Sequence, residues 1–279
     1  MPILALVDHA SDPAGFVVQT DTGDRIHFLD WGGTGTPGVL LVHGLSNTAW
    51  SWAPVARRLA AERHVAAMDL RGHGLSDAPT DQYGADVLAG DVAAVAEGAG
   101  LLGAGPVVLA GHGFGGIVAA LGAAALGGAC ARLVLVDGGW DAIEQSSGMD
   151  IEEFSRGLDE PPEVMASMGA YLADRAGWDP ATWDADQERA TRATVVETPA
   201  GRVVPATRPH ALAASVEAMF AYRPEETLPG VAAPIVALVA TTAPPTAGLG
   251  PIEVRRVGAI GHNLLRYAPD EVTAAIFGR

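Results

Sequence analysis

Lysine is absent from this chain of 279 residues, and all 17 of its basic residues are arginine. Chemistry that needs a lysine amine, such as a Schiff base or the attachment of pyridoxal phosphate, is therefore excluded. The single cysteine, Cys130, rules out a disulfide within the chain. It lies among alanines and glycines, which favours a small buried thiol over a reactive one. Lysine-free usage rich in alanine, glycine and arginine is typical of GC-rich bacterial genomes.

Long apolar runs and a basic leader are also missing. No stretch approaches the ~20 consecutive apolar residues of a membrane helix, and the first eight residues carry no basic side chain. We therefore expect a soluble, cytoplasmic protein without a membrane partner.

The formal net charge is −16 and the arginines do not cluster, so a nucleic-acid partner is not expected. No His, Cys or Asp cluster has metal-ligand spacing, and we expect neither a metal nor a cofactor.

A strand, a sharp turn and a helix are predicted in direct succession over residues 107–126. Residues 107–110 form a short apolar run, and small residues at helical spacing follow the turn. The turn itself, residues 111–115, reads Gly-His-Gly-Phe-Gly. This is the setting of the Gly-x-Ser-x-Gly nucleophile elbow, with glycine in the place of serine. The chain thus resembles the α/β-hydrolase superfamily, with Gly113 at the position of the nucleophile.

Three further motifs carry the resemblance. His43-Gly44 follows a predicted buried strand, and the Asp-x-Arg-Gly-His-Gly-x-Ser segment runs from Asp69 to Ser76. Gly261-His262 follows the last predicted strand. Within the second motif, Asp69 and His73 are expected to be structural rather than catalytic. The resemblance covers nearly the whole chain, from Phe16 to the last helix.

Strands and helices alternate along most of the chain, which predicts an α/β fold with a mostly parallel sheet covered on both faces. Turn residues 21–24 predict a hairpin between the first two strands. Between 138 and 226 the strand pattern disappears, and we expect a helical cap inserted after the sixth strand into a core of residues 1–137 and 227–279. The predicted strands are 16–20, 25–30, 39–42, 64–70, 107–110, 132–136, 234–240 and 252–257; the predicted helices are 50–61, 83–101, 117–126 and 269–277, with 151–157, 163–175, 182–192 and 210–222 in the cap.

The resemblance implies a histidine and an acid beyond the carboxyl ends of the strands. His262 matches the catalytic histidine of the family, and the order elbow, acid, histidine is kept. Most relatives carry the acid after the strand predicted at 234–240, but residues 240–251 contain no carboxylate. Asp137 follows the predicted sixth strand, a position that some relatives use. We expect it to orient His262.

The resemblance also implies an oxyanion hole, made by the backbone N–H groups of Leu45 and Phe114. His112, next to Gly113, is expected to point into the packing between sheet and helix. The cap carries many of the large apolar side chains, a minority of which should line a pocket for a small apolar organic substrate. The pocket residues that we predict are His43, Ser46, Trp50, Trp140 and Met219.

Glycine at residue 113 excludes an acyl-enzyme or alkyl-enzyme intermediate at that position. Ser46 and Ser76 also lie near the predicted mouth, but neither is on a strained turn beside a base. A first hypothesis is therefore an enzyme in which His262, supported by Asp137, activates water for hydrolysis or moves a proton in lyase, cyclase or decarboxylase chemistry. A second is an ordinary serine or aspartate hydrolase of an ester, lactone or epoxide that has lost its nucleophile. A third is a pseudoenzyme that binds an apolar ligand or a protein partner.

Overall fold

The computed structural model describes residues 12–240, 246–258 and 261–279. Within these ranges the strands are β1 (Ala14–Gln19), β2 (Arg25–Gly32), β3 (Val39–Val42), β4 (Val65–Met68), β5 (Val107–His112), β6 (Cys130–Val136), β7 (Val195–Glu197), β8 (Val203–Pro205), β9 (Ile235–Val239) and β10 (Ile252–Arg256). The α-helices are α1 (Ala53–Ala60), α2 (Ala85–Gly98), α3 (Phe114–Leu126), α4 (Ile143–Ser147), α5 (Ile151–Arg156), α6 (Met168–Trp178), α7 (Ala185–Ala193), α8 (Pro209–Ala221), α9 (Pro224–Thr227), α10 (Leu264–Tyr267) and α11 (Pro269–Phe277). None of these helices is long and apolar enough to cross a bilayer.

Eight of the strands form one sheet in the order β1-β2-β4-β3-β5-β6-β9-β10. The β1–β2 hairpin is antiparallel, as the turn at residues 21–24 predicts, and β2 is also antiparallel to β4. Every other pairing in the sheet is parallel. The predicted α/β fold with a mostly parallel sheet is confirmed.

The sheet is buried on both faces because successive residues of its central strands point to opposite sides. On β3, Leu40 and Val42 belong to the core under α2 and α3, whereas Leu41 belongs to the core under α1 and α11. All four residues of this strand are at most 1% exposed. The carboxyl ends of the parallel strands therefore meet at one edge, where ligands bind in open α/β sheets.

The segment between β6 and β9 contains α4 to α9 and a small hairpin of β7 and β8. The prediction that strands are absent here was wrong for residues 195–205. A Thr-Pro-Ala-Gly turn closes the hairpin, with the Gly201 amide donating to the Thr198 carbonyl at 2.8 Å. Val195 and Val203 point inward and pack with Met165 and other apolar residues of the segment.

Candidate active site

The turn between β5 and α3 has an unusual backbone. Gly113 lies between the two elements with φ 54° and ψ −119°, a conformation that side-chain-bearing residues rarely adopt. Its amide donates to the Val136 carbonyl at 3.0 Å, which ties the turn to β6. A Cβ on Gly115 would come 2.3 Å from the carbonyl oxygens of Val42 and His43, so glycine there lets α3 approach β3 closely. The turn is thus held rigidly at the carboxyl end of the sheet.

Asp137 and His262 form a hydrogen-bonded pair beside this turn. Asp137 directly follows β6 and has a φ of 47°. One of its carboxylate oxygens accepts from the Ala240 amide at 3.0 Å, and the other lies 2.8 Å from Nδ1 of His262. An ionised carboxylate only accepts hydrogen bonds, so Nδ1 is the donor and a neutral His262 ring keeps its lone pair on Nε2.

The Asp137 carboxyl is kept in its charged form by its hydrogen-bond partners. Burial alone would raise its pKa, but the hydrogen bonds from His262 and from the Ala240 amide hold the pKa below its usual value. The His262 side chain is 62% exposed, so its Nε2 edge is accessible. The pair therefore combines a fixed, charged acceptor with an accessible base.

The space above Gly113 lies next to that base. A Cβ on residue 113 would be 3.0 Å from Nε2 of His262 and 4.0 Å from the Cα of Gly44. Because Gly113 has no side chain, this space is bounded by the imidazole on one side and the loop after β3 on the other. A group placed there would be within proton-transfer distance of His262.

Two backbone amides face the same region. Leu45 and Phe114 both line the cavity around Gly113, and within the described residues neither backbone N–H donates to a protein acceptor. The loop that carries Leu45 is fixed by His43, whose Nδ1 donates to the Gly44 carbonyl at 2.7 Å. Nε2 of the same ring accepts from the Leu70 amide at 3.0 Å. Such a pair of fixed donors is suited to holding an oxyanion.

His112 does not point into the packing between sheet and helix as expected. Its ring lies 4.5 Å from the ring of His262, and its Nε2 donates to the His262 carbonyl at 3.0 Å. The residue is only 4% exposed, and burial lowers the pKa of His112 to about 4. His112 is therefore a neutral support for the backbone and ring of His262. This contact could not be predicted from the sequence, because His112 and His262 are far apart in the chain and meet only in the folded protein.

A cavity of about 520 Å³ opens above Gly113. One side is polar, formed by the Asp137–His262 pair, and the other is apolar. Trp140 and Met219 line it as predicted, while Asn47, Ile117, Asp141 and Ile143 were not anticipated. The segment between β6 and β9 also contributes Phe154 and Leu158. The cavity would hold an apolar group next to His262.

A model of the Alpha/beta hydrolase family matches residues 39–275. The chain belongs to the Alpha/beta hydrolase family. It is 39% identical over 106 residues to epoxide hydrolase 4 of Mus musculus, a match that covers 37% of this chain and 29% of that protein. It is 39% identical over 116 residues to N-formylmaleamate deformylase of Pseudomonas putida, covering 41% of this chain and 42% of that protein. These matches span less than half the length of either relative.

Solved structures share the fold over almost the whole chain. E-2-(acetamidomethylene)succinate hydrolase superposes with a TM-score of 0.76 at 20% identity, covering 95% of this chain and 98% of that one. The thioesterase domain from the curacin biosynthetic pathway superposes with a TM-score of 0.72 at 18% identity, covering 96% of this chain and all of the domain. At such identities the likeness establishes the α/β-hydrolase fold alone.

Three residues predicted to line the pocket lie elsewhere in this family member. His43 is fully buried beneath the Leu45 loop, where both of its ring nitrogens are used to hold backbone. Ser46 lines a neighbouring cavity, and its φ of 58° shows that the expectation of an unstrained turn was wrong for this residue. Trp50 packs edge-on against Trp31, with the Arg189 guanidinium 4.8 Å from its ring. Their nearness in sequence to the His-Gly motif did not reveal which way each side chain points.

The Asp-x-Arg-Gly-His-Gly-x-Ser motif is placed under the site, where it supports loops. Asp69 accepts hydrogen bonds from the Ala49 and Leu75 amides at 2.7 and 3.0 Å. Ser76 donates to the Asp69 carbonyl at 2.7 Å and accepts from the His27 amide at 2.9 Å. Its hydroxyl is therefore occupied. Residues 240–251, where most relatives carry the acid and this chain has no carboxylate, lie partly outside the described residues, which omit 241–245.

Buried neutral histidines should make this fold sensitive to mild acid. Burial lowers the pKa of His43 below its usual 6.5, that of His73 to about 3 and that of His112 to about 4. Below pH 6.5 the unfolded chain binds protons that the folded protein does not, so stability falls as the pH falls. Between pH 7.5 and 5.5 we expect His73 and His112 each to lower the free energy of unfolding by roughly 1 kcal/mol, and His43 to act in the same direction. Urea titrations at the two pH values measure this loss of stability. An unchanged midpoint would contradict the claim that these histidines are neutral in the folded protein.

Proposed function

We propose that this chain is a cytoplasmic hydrolase that works without a covalent nucleophile, with Gly113 at the position where other family members carry theirs. The observation that carries the proposal is the open space above Gly113, bounded 3.0 Å from the Cβ position by Nε2 of His262. Water occupying that space would be activated directly by His262. The names of the relatives, which include epoxide hydrolases and a deformylase, favour hydrolysis over lyase or cyclase chemistry.

The proposed step uses four groups of the chain. Nε2 of His262 takes a proton from the water as its oxygen attacks a carbonyl carbon, and Asp137 stabilises the imidazolium. The Leu45 and Phe114 amides hold the oxyanion. When the carbon–oxygen bond to the leaving group breaks, His262 returns the proton to the departing oxygen, so that an ester and water give an acid and an alcohol.

The magnitude of such catalysis limits the substrate. General acid–base catalysis contributes ~10²–10⁴-fold and an oxyanion donor ~10²–10³-fold. Without a covalent intermediate this suits an intrinsically reactive ester or lactone better than an ordinary amide. The apolar wall of the 520 Å³ cavity supports a substrate with an apolar group. We further propose that residues 138–226 act as the cap over a core of 1–137 and 227–279, since Phe154 and Met219 help to enclose the cavity.

The strained backbone of Asp137 supports the proposed site. Asp137 is not glycine, yet it keeps a φ of 47° while bonded to His262. Such a conformation costs about 1–3 kcal/mol and is maintained where function or packing requires it.

A second function is favoured by the direction of residue 113. A side chain there would project straight at Nε2 of His262, as a nucleophile should. The chain would then be a serine or aspartate hydrolase seen without its nucleophile, acting on an ester, lactone or epoxide.

A parallel screen of activated esters, lactones and epoxides separates these functions. The wild type and the Gly113→Ser and Gly113→Asp variants are assayed side by side for product. Turnover by the wild type supports the first function. Turnover by a restored variant alone supports the second function. If none of the three proteins forms product, the result points to a ligand-binding protein.

A further inference from the structure

A second cavity, of about 310 Å³, adjoins the first. The two share Leu45 and Asn47, so they lie on either side of the loop that follows β3. The second cavity is enclosed by α6, α7 and α10, and α10 begins two residues after His262. Its lining is largely polar, in contrast to the apolar wall of the first cavity. A ligand group in this space would lie close to the proposed reaction site.

Arg266 brings a positive charge to the second cavity. Its Nε donates to the Thr182 hydroxyl and its Nη2 to the Asp179 carbonyl, both at 2.6 Å. A guanidinium has five N–H donors, so three remain after these two bonds. Within the described residues no carboxylate lies within ion-pair distance of Arg266. The carboxylate of Asp179 reaches it only through the Thr182 hydroxyl, which donates to that carboxylate at 3.0 Å, so the guanidinium makes no direct ion pair.

The other arginine of this cavity, Arg175, is directly ion-paired. Arg175 pairs with Glu160 and with Asp174. Its guanidinium also stacks on the rings of Tyr171 and Trp178. Although the Glu160 carboxylate lines the cavity, it is paired with Arg175, and Arg266 is the arginine of this cavity that has no direct ion pair within the described residues.

Neutral donors surround the Arg266 side of the cavity. The side-chain amides of Asn47, Gln187 and Asn263 line it. In the described part of the chain, none of their NH₂ groups donates to a protein acceptor, and the Asn263 oxygen is already bonded to the Arg266 amide. A guanidinium with free N–H groups matches the planar geometry of a carboxylate, which accepts two parallel hydrogen bonds.

We infer that the second cavity is a carboxylate-binding subsite anchored by Arg266. The substrate would then carry a carboxylate in addition to the apolar group held in the first cavity. This inference rests on the proposed function in one respect, because it takes the reacting bond of the substrate to lie between the two cavities. The binding of a carboxylate itself requires no catalysis.

Calorimetric titration with succinate, and with succinamide as its neutral analogue, tests the subsite at constant ionic strength. We expect succinate to bind the wild type and succinamide not to bind. Arg266→Gln should weaken succinate binding about 10- to 100-fold, because a charge-assisted pair is lost. Arg192→Gln is the matched control, because it removes an arginine that pairs with Glu188 and lines neither cavity, and it should bind succinate within about twofold of the wild type.

Each result decides the inference. Wild-type affinity in Arg266→Gln, or equal binding of succinamide, would overturn it, and tighter binding of inorganic phosphate would overturn the carboxylate assignment. If Arg266→Gln does not fold, Arg266→Lys serves instead and should weaken binding less than tenfold but measurably, since its charge remains without the planar fork. His262→Gln should bind succinate normally. A protein that binds succinate but turns over no substrate would therefore refute the proposed function and leave the subsite standing.

Discussion

Replacing His262 with glutamine should lower kcat/KM of the wild-type reaction by about 10²–10⁴-fold. Glutamine can still reach Asp137 with a hydrogen bond, but it cannot take a proton from the group above Gly113. The loss should appear mainly in kcat, because the imidazole acts on the reacting atoms and contributes little to the apolar wall of the cavity. Initial rates with a substrate that the wild type turns over measure the effect.

His64→Gln is a matched control for this variant. His64 also lies against a carboxylate, with Nε2 3.1 Å from Asp30, but that pair does not line the cavity. We expect His64→Gln to keep wild-type kinetics.

Asp137→Asn should lower kcat/KM by about as much as His262→Gln does. The double variant should lower kcat/KM no further than either single variant, since the two residues act as a unit. Activity within tenfold of the wild type in His262→Gln would contradict the role of His262 as the base.

Restoring a side chain at residue 113 should give the second large effect. With an activated ester, Gly113→Ser should form an acyl adduct and hydrolyse the ester at least about 10²-fold faster than Gly113→Ala. The Cβ lies 3.0 Å from Nε2 of His262, so the imidazole must move by a few tenths of an ångström, which an exposed side chain permits. The serine hydroxyl is then within reach of the base.

Gly113→Ala is the proper reference because both variants add the same Cβ at the same positive φ. Each should lose about 1–3 kcal/mol of stability from backbone strain, so any difference between them reports the hydroxyl. Intact-protein mass spectrometry detects the adduct, and stopped-flow absorbance detects the burst. Equal rates without an adduct would mean that the base and the amides are not aligned on residue 113.

Much of the fold follows from local patterns. The apolar run at 39–42 becomes β3 without change, and Pro269–Phe277 becomes α11, because Pro269 marks the start of that helix and Gly278 its end. The start of α6 was misplaced at 163, since the Ser167 hydroxyl caps the helix by accepting from the Ala170 amide at 3.1 Å. The β7–β8 hairpin was missed because each of its strands is only 3 residues long, too short for an alternating pattern to be recognised.

The site was only partly predictable for a different reason. Asp137 and His262 are 125 residues apart in sequence, and their pairing was expected from the family resemblance, which places both at the carboxyl edge of the sheet. The orientations of His112, Ser46 and Trp50 depend on tertiary contacts that leave no local pattern. That Arg266 lines the second cavity could not be predicted either, because this cavity is formed by α7 and α10, which are distant in sequence.

Intact-mass spectra of the wild type, recorded while it turns over a substrate found in the screen, test the central claim most directly. The account predicts that product accumulates with the protein at its unmodified mass at every quench time, and that His262→Gln forms no product at a comparable rate. A transient adduct on the wild type, for example one mapped to Ser46, would contradict it, because the reaction would then proceed through a covalent nucleophile outside Gly113.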